Sequence, residues 1–409
     1  MTQPHRLGPR PLPLLMAIQT LTALGSLSAL PLLRNGSLSW SPTLRSFTDE
    51  LNRAIRQTTP EAFAAAVERE AAHRLAAFAA GVRAYRASPA SDRPAEPPAI
   101  WQRGSARLLD YGATDTAAAD GWPVIAIPSL VNRGYILDLT ARRSLMRALA
   151  ARGFRPLLVD WGSPDESERA FTLTDYVDGY LGEALGHAVD VTGRPAAVLG
   201  YCMGGNLGLA LTTRHAERVR ALALLATPWD FQAGHAQALP FLAAVAPALE
   251  AIIASLGFLP VDVLQSLFTG LNPALTGYKF RSFAELDPAS RQAREFVRLE
   301  DWLNDGVPLA GPVARECLFG WYMDNTVAAG NWRVGGQAID PAGIEQPALV
   351  AVPSDDYIVP PASARPLADA LPNAKLKTVK AGHIGMVAGG RAKSMLYTPL
   401  ADWLAAILT

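Results

Sequence analysis

Residues 196–205 read Ala-Ala-Val-Leu-Gly-Tyr-Cys-Met-Gly-Gly, a short apolar run that ends in a glycine-rich turn around Cys202. The pattern G-x-C-x-G, entered from a β-type run and followed by a helix-compatible stretch, predicts a nucleophile elbow in which cysteine replaces the usual serine. Such a turn strains the backbone of its central residue, so its neighbours must be small. Gly200, Gly204 and Gly205 meet this requirement, although a buried structural cysteine is the competing interpretation.

The composition is that of a globular chain with a sizeable core. Half of the 409 residues are hydrophobic, and the formal net charge at pH 7 is zero. A nucleic-acid partner is disfavoured, because a phosphate-binding surface would produce a basic excess. The two cysteines, Cys202 and Cys317, imply no disulfide framework and indicate a reducing compartment. They offer no spacing for a zinc or redox motif, so we expect no metal site.

The first 98 residues differ in pattern from the rest. Residues 11–33 carry no charge, but prolines and polar residues interrupt the run and no small-residue cleavage site follows. We therefore expect an apolar helix that packs on the body of the protein, a partner or a lipidic surface, with a membrane anchor as the minor alternative. From Thr59-Pro60 onward apolar residues recur every three or four positions, which predicts an amphipathic helix. Residues 88–98, rich in Pro, Ser and Asp, predict a linker.

Strand and helix patterns alternate in the remainder of the chain. Short β-type runs predict strands of a mostly parallel sheet at 106–111, 124–128, 156–160, 196–201, 219–227, 348–352 and 376–380. Helical patterns accompany them at 140–152, 174–190, 206–215, 362–371 and 394–408. Residues 228–338 are helix-rich and aromatic, and we predict a cap inserted over the carboxyl edge of the sheet. The predicted division is a helical region with linker, 1–98, and an α/β catalytic domain, 99–409.

A cysteine nucleophile needs a base, and the base needs an orienting carboxylate. Of the six histidines, only His383 lies in the loop after the last predicted strand, where a hydrolase-like sheet delivers its base. We expect His187, His215 and His235 to be solvated on helices or in the cap. His383 is therefore the predicted base.

The carboxylate should follow a late strand and precede the histidine in the chain. Residues 354–360, Ser-Asp-Asp-Tyr-Ile-Val-Pro, make Asp356 the candidate and Asp355 its rival, while both could instead only shape a turn. Pairing with His383 would raise the reactive fraction of Cys202, because only a small part of an ordinary thiol is ionised at neutral pH. Asp356 would hold the imidazole tautomer and stabilise the imidazolium.

Attack on a thioester or ester carbonyl produces an oxyanion that needs two N–H donors. We predict the backbone amide of Met203, directly after the nucleophile, as one donor. The other is expected from residues 128–132, Pro-Ser-Leu-Val-Asn, with the amide of Val131 as the candidate. An ordinary turn is the alternative for this loop.

Several stretches together resemble the catalytic domain of polyhydroxyalkanoate (PHA) synthases. They are Gly-Tyr-Cys-Met-Gly-Gly, Leu-Val-Asn-Arg-Gly-Tyr-Ile-Leu-Asp-Leu at 130–139, Asp-Trp-Gly-Ser-Pro-Asp at 160–165, Leu-Asn-Pro-Ala-Leu-Thr-Gly at 271–277 and Gly-His-Ile-Gly-Met at 382–386. The resemblance runs from about residue 100 onward and is nearest to the class III, two-subunit type. It implies an α/β-hydrolase fold with a mostly parallel central sheet, a helix-rich cap before the late strands, and an N-terminal helical region.

The resemblance also implies a chemistry. Cys202 would carry a growing (R)-3-hydroxyacyl chain taken from a coenzyme A (CoA) thioester, which is a substrate, and no cofactor is expected. His383 would act as base on the thiol, and Asp356 would assist His383 or activate the 3-hydroxyl of the incoming unit. The family usually has His where this chain has Tyr357. A second synthase subunit, a homodimer and a cytoplasmic, granule-associated location are implied, with residues 11–33 as a candidate contact to a granule or membrane surface.

Two other functions stay open from the sequence. A cysteine hydrolase, such as a dienelactone hydrolase or an intracellular PHA depolymerase, would use nearly the same elbow, but these enzymes lack so long a cap and the Asp-Trp-Gly stretch. A non-catalytic granule-binding subunit is the least favoured, because the Cys, Asp and His set is complete. Transfer is favoured over hydrolysis, since thiolate attack on a thioester is nearly isoenergetic and an apolar covered site would exclude water.

Overall fold

A computed structural model describes residues 6, 8–38, 40, 45–89, 93–114, 120–234 and 239–408, without the side chains of 45–47. The chain divides into two compact units. The smaller unit comprises Met1–Ser91 with Gln265–Asn304, and the larger comprises Asp92–Leu264 with Asp305–Thr409.

The strands in chain order are β1 Ala99–Arg103, β2 Ala106–Asp110, β3 Pro123–Ile127, β4 Asp138–Thr140, β5 Arg143–Ser144, β6 Arg155–Asp160, β7 Ala196–Tyr201, β8 Val219–Leu225, β9 Phe258–Leu259, β10 Leu309–Ala310, β11 Arg333–Val334, β12 Gln337–Ala338, β13 Ala348–Pro353 and β14 Ala374–Val379. Eight of them form one sheet in the order β1-β2-β6-β3-β7-β8-β13-β14, and the rest form short antiparallel pairs. From β6 to β14 all neighbours are parallel, whereas β1 and β2 are antiparallel.

The helices in chain order are α1 Leu12–Ser28, α2 Leu30–Asn35, α3 Arg45–Arg56, α4 Pro60–Ala87, α5 Leu145–Ala150, α6 Gly182–Thr192, α7 Met203–Arg214, α8 Leu239–Leu256, α9 Val261–Leu271, α10 Pro273–Ala284, α11 Arg291–Asn304, α12 Gly311–Arg315, α13 Pro361–Ala370, α14 His383–Ala388 and α15 Thr398–Leu408. Three π-helical segments lie at Asp175–Leu181, Glu316–Met323 and Lys393–Tyr397.

The predicted α/β-hydrolase architecture is confirmed in the larger unit. Every residue of β3, β7 and β13 is buried, as expected of parallel strands that are covered on both faces. β1 is absent from the predicted strands, because its partly exposed residues lack an apolar run and antiparallel pairing to β2 holds it in place. The helix predicted at 140–152 is shorter, since β4 and β5 occupy its first part and the Ser144 hydroxyl caps α5 at the Arg147 amide.

The smaller unit has its own apolar core. Side chains from α1, α4, α10 and α11 form it, among them Leu15, Phe78, Val82, Tyr85, Phe280, Phe283 and Val297. At Gly81 of α4 a Cβ would lie 2.7 Å from the carbonyl carbon of Phe280, so only glycine allows this close approach. Residues 265–304 therefore group with the N-terminal helices, whereas the predicted division kept 228–338 together as one cap of the catalytic domain.

Two apolar helices bear on the predicted surface contacts. α1, which covers most of residues 11–33, buries Leu15 in the core of the smaller unit and exposes Met16, Leu21 and Leu24. Among the described residues, α8 alone is long and apolar enough to cross a membrane by length and composition, with a mean hydropathy of 1.9. Attachment of residues 11–33 to a granule or membrane surface stays a prediction.

Candidate active site

Cys202 stands at the sharp turn between β7 and α7, as the sequence predicts. Its backbone angles are φ 57° and ψ −131°, a conformation that costs free energy in a residue with a Cβ. The turn is fixed by hydrogen bonds from the Cys202 amide to the Leu225 carbonyl, 2.9 Å, and from the Gly205 amide to the Cys202 carbonyl, 2.9 Å. The thiol is thereby held at the carboxyl edge of the sheet.

Gly204 and Gly205 follow Cys202 at positions where there is no room for a side chain. A Cβ at Gly204 would lie 2.6 Å from the Pro128 carbonyl oxygen and closer still to that of Ile127. A Cβ at Gly205 would lie 2.6 Å from Cγ2 of Thr227. The elbow thus packs directly against the end of β3 and the start of the loop that follows it.

Asp356 and His383 meet because the segments after β13 and β14 are tied together. The Ser354 amide donates to the Val379 carbonyl at 2.8 Å, and the Asp355 amide donates to the Ala381 carbonyl at 3.0 Å. These bonds bring Nδ1 of His383, the first residue of α14, to 2.6 Å from Oδ2 of Asp356. Both side chains are almost completely buried.

The carboxylate of Asp356 accepts hydrogen bonds at both of its oxygens. While Oδ2 faces His383, Oδ1 accepts hydrogen bonds from the amides of Ile358, 2.8 Å, and Val359, 2.9 Å. The rival Asp355 is exposed, and so is Tyr357, whose side chain replaces the histidine expected from the resemblance. The structure therefore brings Asp356, and neither of its neighbours, to His383.

Cys202 lies close enough to His383 to influence the pKa of its imidazole. Because Nδ1 faces Asp356, Nε2 is the ring nitrogen left for the sulfur. Burial lowers the pKa of His383, but the negative charge of Cys202 and the hydrogen bond to Asp356 outweigh it and raise this pKa to about 10. The structure thus pairs Asp356 with His383, and Cys202 influences the same imidazole, which favours its charged form.

Two tyrosines belong to the surroundings of these side chains. The Tyr201 hydroxyl donates to the His383 carbonyl at 3.2 Å, and the two rings lie 5.2 Å apart. Tyr322, in the π-helical segment Glu316–Met323, packs edge-on against Phe231 at 4.9 Å. Burial, and after it the charge of Cys202, raise the pKa of Tyr322. Tyr322 has no sequence signal of its own, since one aromatic residue among many in this region is typical of a core.

The two predicted oxyanion donors lie on elements that adjoin the elbow. Met203 is the first residue of α7, where amide groups have no acceptor within the helix. Among the described residues, the amide of Val131, in the loop after β3, has the Ser129 hydroxyl as its acceptor, at a long 3.5 Å. Their role as oxyanion donors stays a prediction.

The other histidines lie elsewhere. The expectation that His215 is solvated is wrong at its Nε2 atom. That atom lies beside Gly182, where it is buried and has no hydrogen-bond partner among the described residues. Burial lowers the pKa of the His215 imidazole. His187 is half-buried on α6, and His235 lies outside the described residues. Within the described ranges, no group of three or more His, Cys, Asp or Glu side chains could hold a metal ion.

Comparison with known proteins shows the family to which this chain belongs. The family model of the alpha/beta hydrolase fold matches residues 123–389. The poly(3-hydroxyalkanoate) polymerase subunit PhaC of Allochromatium vinosum is 30% identical over 311 residues, which cover 75% of this chain and 87% of that protein. PhaC of Synechocystis is 32% identical, and the match covers 69% of this chain and 77% of that protein. PhaC of Haloferax mediterranei is 30% identical, and the match covers 75% of this chain and 63% of that protein.

Solved structures align less closely. A thermophilic esterase from Thermogutta terrifontis covers 77% of this chain and 99% of its own at 16% identity, with a TM-score of 0.47. The assignment to a family therefore rests on the family model and on the sequence relatives. On these grounds the chain belongs to the poly(3-hydroxyalkanoate) polymerase family of enzymes within the α/β-hydrolase superfamily.

Proposed function

We propose that this protein is an acyltransferase that polymerises (R)-3-hydroxyacyl groups from CoA thioesters into PHA, with Cys202 as the covalent carrier. One observation carries the proposal: in a chain of this family, a cysteine on a strained elbow lies beside a histidine whose other nitrogen is 2.6 Å from a buried aspartate. This is the arrangement of an activated nucleophile, its base and an orienting carboxylate.

Acylation is the first step. The Cys202 sulfur, with its proton held by Nε2 of His383, attacks the carbonyl carbon of the CoA thioester and forms a new carbon–sulfur bond. The carbon–sulfur bond to CoA then breaks, and the departing CoA thiolate takes the proton from the imidazolium. The raised pKa of His383 supports this step, because it keeps the proton on the ring while the sulfur is charged.

Ester formation is the second step. The 3-hydroxyl of a further unit attacks the Cys202 thioester, its proton passes to Nε2 of His383, and the Cys202 thiolate leaves and recovers that proton. Of the two roles that the resemblance leaves for Asp356, we propose orientation of His383. Its carboxylate already accepts three hydrogen bonds and is buried, so a substrate hydroxyl would find His383 and not Asp356 available.

Both steps pass through a tetrahedral oxyanion. We propose the amides of Met203 and Val131 as its donors, because the first heads α7 and the second has, within the described chain, a long bond to Ser129. No further cofactor is needed for either step, since the CoA thioester supplies the activated acyl group.

The test is incubation of the purified protein with (R)-3-hydroxybutyryl-CoA, with CoA release followed by a thiol reagent and the products separated by size. We expect CoA release together with polymer, and neither from Cys202→Ala. Free 3-hydroxybutyrate without polymer would contradict polymerisation and would assign a cysteine hydrolase. CoA release that persists in Cys202→Ala would contradict the covalent carrier.

The partners and location also belong to this proposal. The relatives are named as subunits, which supports a second synthase subunit for this chain as well, in addition to a homodimer. We propose a cytoplasmic enzyme on polymer granules, to which the exposed apolar residues of α1 contribute contacts. Sedimentation of the protein with isolated granules, compared with a Leu21→Glu and Leu24→Glu double variant, tests this contact. Equal recovery of both proteins would contradict it.

A further inference from the structure

The loop that carries Val131 is held by a short segment from a distant part of the chain. Residues 305–307, which we call the strap, follow α11 directly. The Val307 amide donates to the Val131 carbonyl at 3.0 Å, and Gly306 forms an antiparallel bridge with Asn132. The strap therefore fixes the peptide group on the carboxyl side of Val131.

The side chain of Asp305 adds two further attachments to the same loop. Its Oδ1 lies 3.5 Å from Nε of Arg133, and its Oδ2 accepts a hydrogen bond from the Tyr135 hydroxyl at 3.1 Å. Arg133 in turn donates to the Ser163 hydroxyl at 2.9 Å and to the Gly162 carbonyl, beyond the end of β6. The Asp305 carboxylate thus contacts both Arg133 and Tyr135, which lie two and four residues after Val131.

We infer that Asp305 is a positioning residue, which holds the loop so that the Val131 amide faces the oxyanion formed on the acyl group at Cys202. This inference rests on the proposed function. The amide of Val131 is bound only weakly, so its direction depends on what holds the rest of the loop. Loss of an oxyanion donor costs a factor of about 10² to 10³ in rate, and a misplacement of about 1 Å costs a similar factor.

The solvent exposure of the Asp305–Arg133 pair indicates that its main role is to position the loop and not to stabilise the fold. The Asp305 side chain is 45% exposed and that of Arg133 is 25% exposed, and such pairs contribute little to global stability. The Arg214–Asp178 pair, 2.9 Å apart and 28% and 27% exposed, has similar chemistry in the same unit. Asp178→Ala is therefore a matched control for the loss of one partly exposed ion pair.

The experiment measures acylation and alkylation of Cys202 in the full chain. Acylation by (R)-3-hydroxybutyryl-CoA needs the oxyanion donors, whereas alkylation by iodoacetamide needs only the reactive sulfur. For Asp305→Ala we expect acylation kcat to fall about tenfold, with KM and the alkylation rate within about twofold of wild type. Asp305→Asn should recover part of the loss, because its amide oxygen still accepts from one of the two donors. Asp178→Ala should acylate as wild type does.

The outcomes distinguish this inference from the proposal on which it rests. If wild type acylates and Asp305→Ala acylates as fast as Asp178→Ala, the positioning role is wrong while the proposed function stands. A parallel fall in alkylation would also overturn it, because the change would then lie at the sulfur. If wild type is alkylated but never acylated, the proposed function itself fails.

Discussion

The chain holds two buried cysteines in two very different settings. Cys317 is 1% exposed inside the π-helical segment Glu316–Met323, where burial and then the Glu316 carboxylate raise the pKa of its thiol far above the ordinary value. Cys202 is 9% exposed on a strained turn, and its charge is among the causes that raise the pKa of His383. The two sites therefore share residue type and burial, but they differ in backbone conformation and in the charged side chain that neighbours the cysteine.

The difference bears on the proposal that Cys202, and not Cys317, is the nucleophile. Burial alone disfavours the thiolate, as at Cys317. At Cys202 the imidazolium of His383 supplies an adjacent positive charge, and the buried carboxylate of Asp356 supports that charge in turn. The comparison predicts that only the Cys202 site reacts with an acyl-CoA, and four experiments test it, in order of decreasing expected effect.

The first experiment removes each thiol. Cys202→Ala should lower CoA release by a factor on the order of 10³ or more, because the covalent carrier is lost. Cys317→Ala should stay within a few-fold of wild type, provided that circular dichroism shows it folded. A folded Cys317→Ala variant without activity, or an active Cys202→Ala variant, would reverse the assignment of the two sites.

The second experiment removes the carboxylate behind the base. Asp356→Asn should lower acylation by a factor of at least about 10², because the amide no longer stabilises the imidazolium. The neighbouring and exposed Asp355 provides the control, and Asp355→Asn should change the rate less than twofold. Equal losses in the two variants would indicate that this turn matters only as a scaffold.

The third experiment tests the turn itself. Gly204→Ala places a Cβ against two backbone carbonyl groups and should destabilise the fold by about 1–3 kcal/mol. Gly270→Ala, in α9 with open space around the added methyl group, should be neutral or stabilise by roughly 0.5–1 kcal/mol. Urea unfolding measures both changes, and no loss of stability in Gly204→Ala would contradict the close packing of the elbow.

The fourth experiment follows the charge of His383. Its pKa is about 10 beside Cys202, so NMR titration should show the imidazolium to persist well above the ordinary value of 6.5. In Cys202→Ala the negative charge that raises the pKa of His383 is lost while the opposing effect of burial remains, so this pKa should fall. Cys317→Ala should leave the pKa of His383 unchanged. Because the pKa is raised on folding, the stability that His383 contributes is full below about pH 6.5 and is lost as pH rises through about 10. An unchanged pKa in Cys202→Ala would contradict the coupling.

The elbow region was predictable because its constraints are local. Glycines beside a cysteine, and an aspartate and a histidine after successive late strands, are readable from spacing and chain order. Spacing favours Asp356 and keeps Asp355 as a rival, because the outcome depends on which side chain turns inward when Ser354 pairs with Val379.

The remainder depends on contacts between distant segments. Phe280 is buried against Phe78 and Tyr85, which precede it by about 200 residues, so no local pattern assigns 265–304 to the smaller unit. Asp305 lies 172 positions after Arg133, and a single aspartate after a helix gives no sign of that pairing. Sequence spacing therefore predicts the sharp turn at Cys202 and the region of His383, but not the strap that holds the neighbouring loop.

Peptide mapping by mass spectrometry after brief exposure to (R)-3-hydroxybutyryl-CoA tests the central claim most directly. Wild type and Cys317→Ala should both carry the 3-hydroxybutyryl group as a thioester on the peptide with Cys202, released by hydroxylamine. An acyl group found on Cys317, or no acyl group while CoA is being released, would contradict the account.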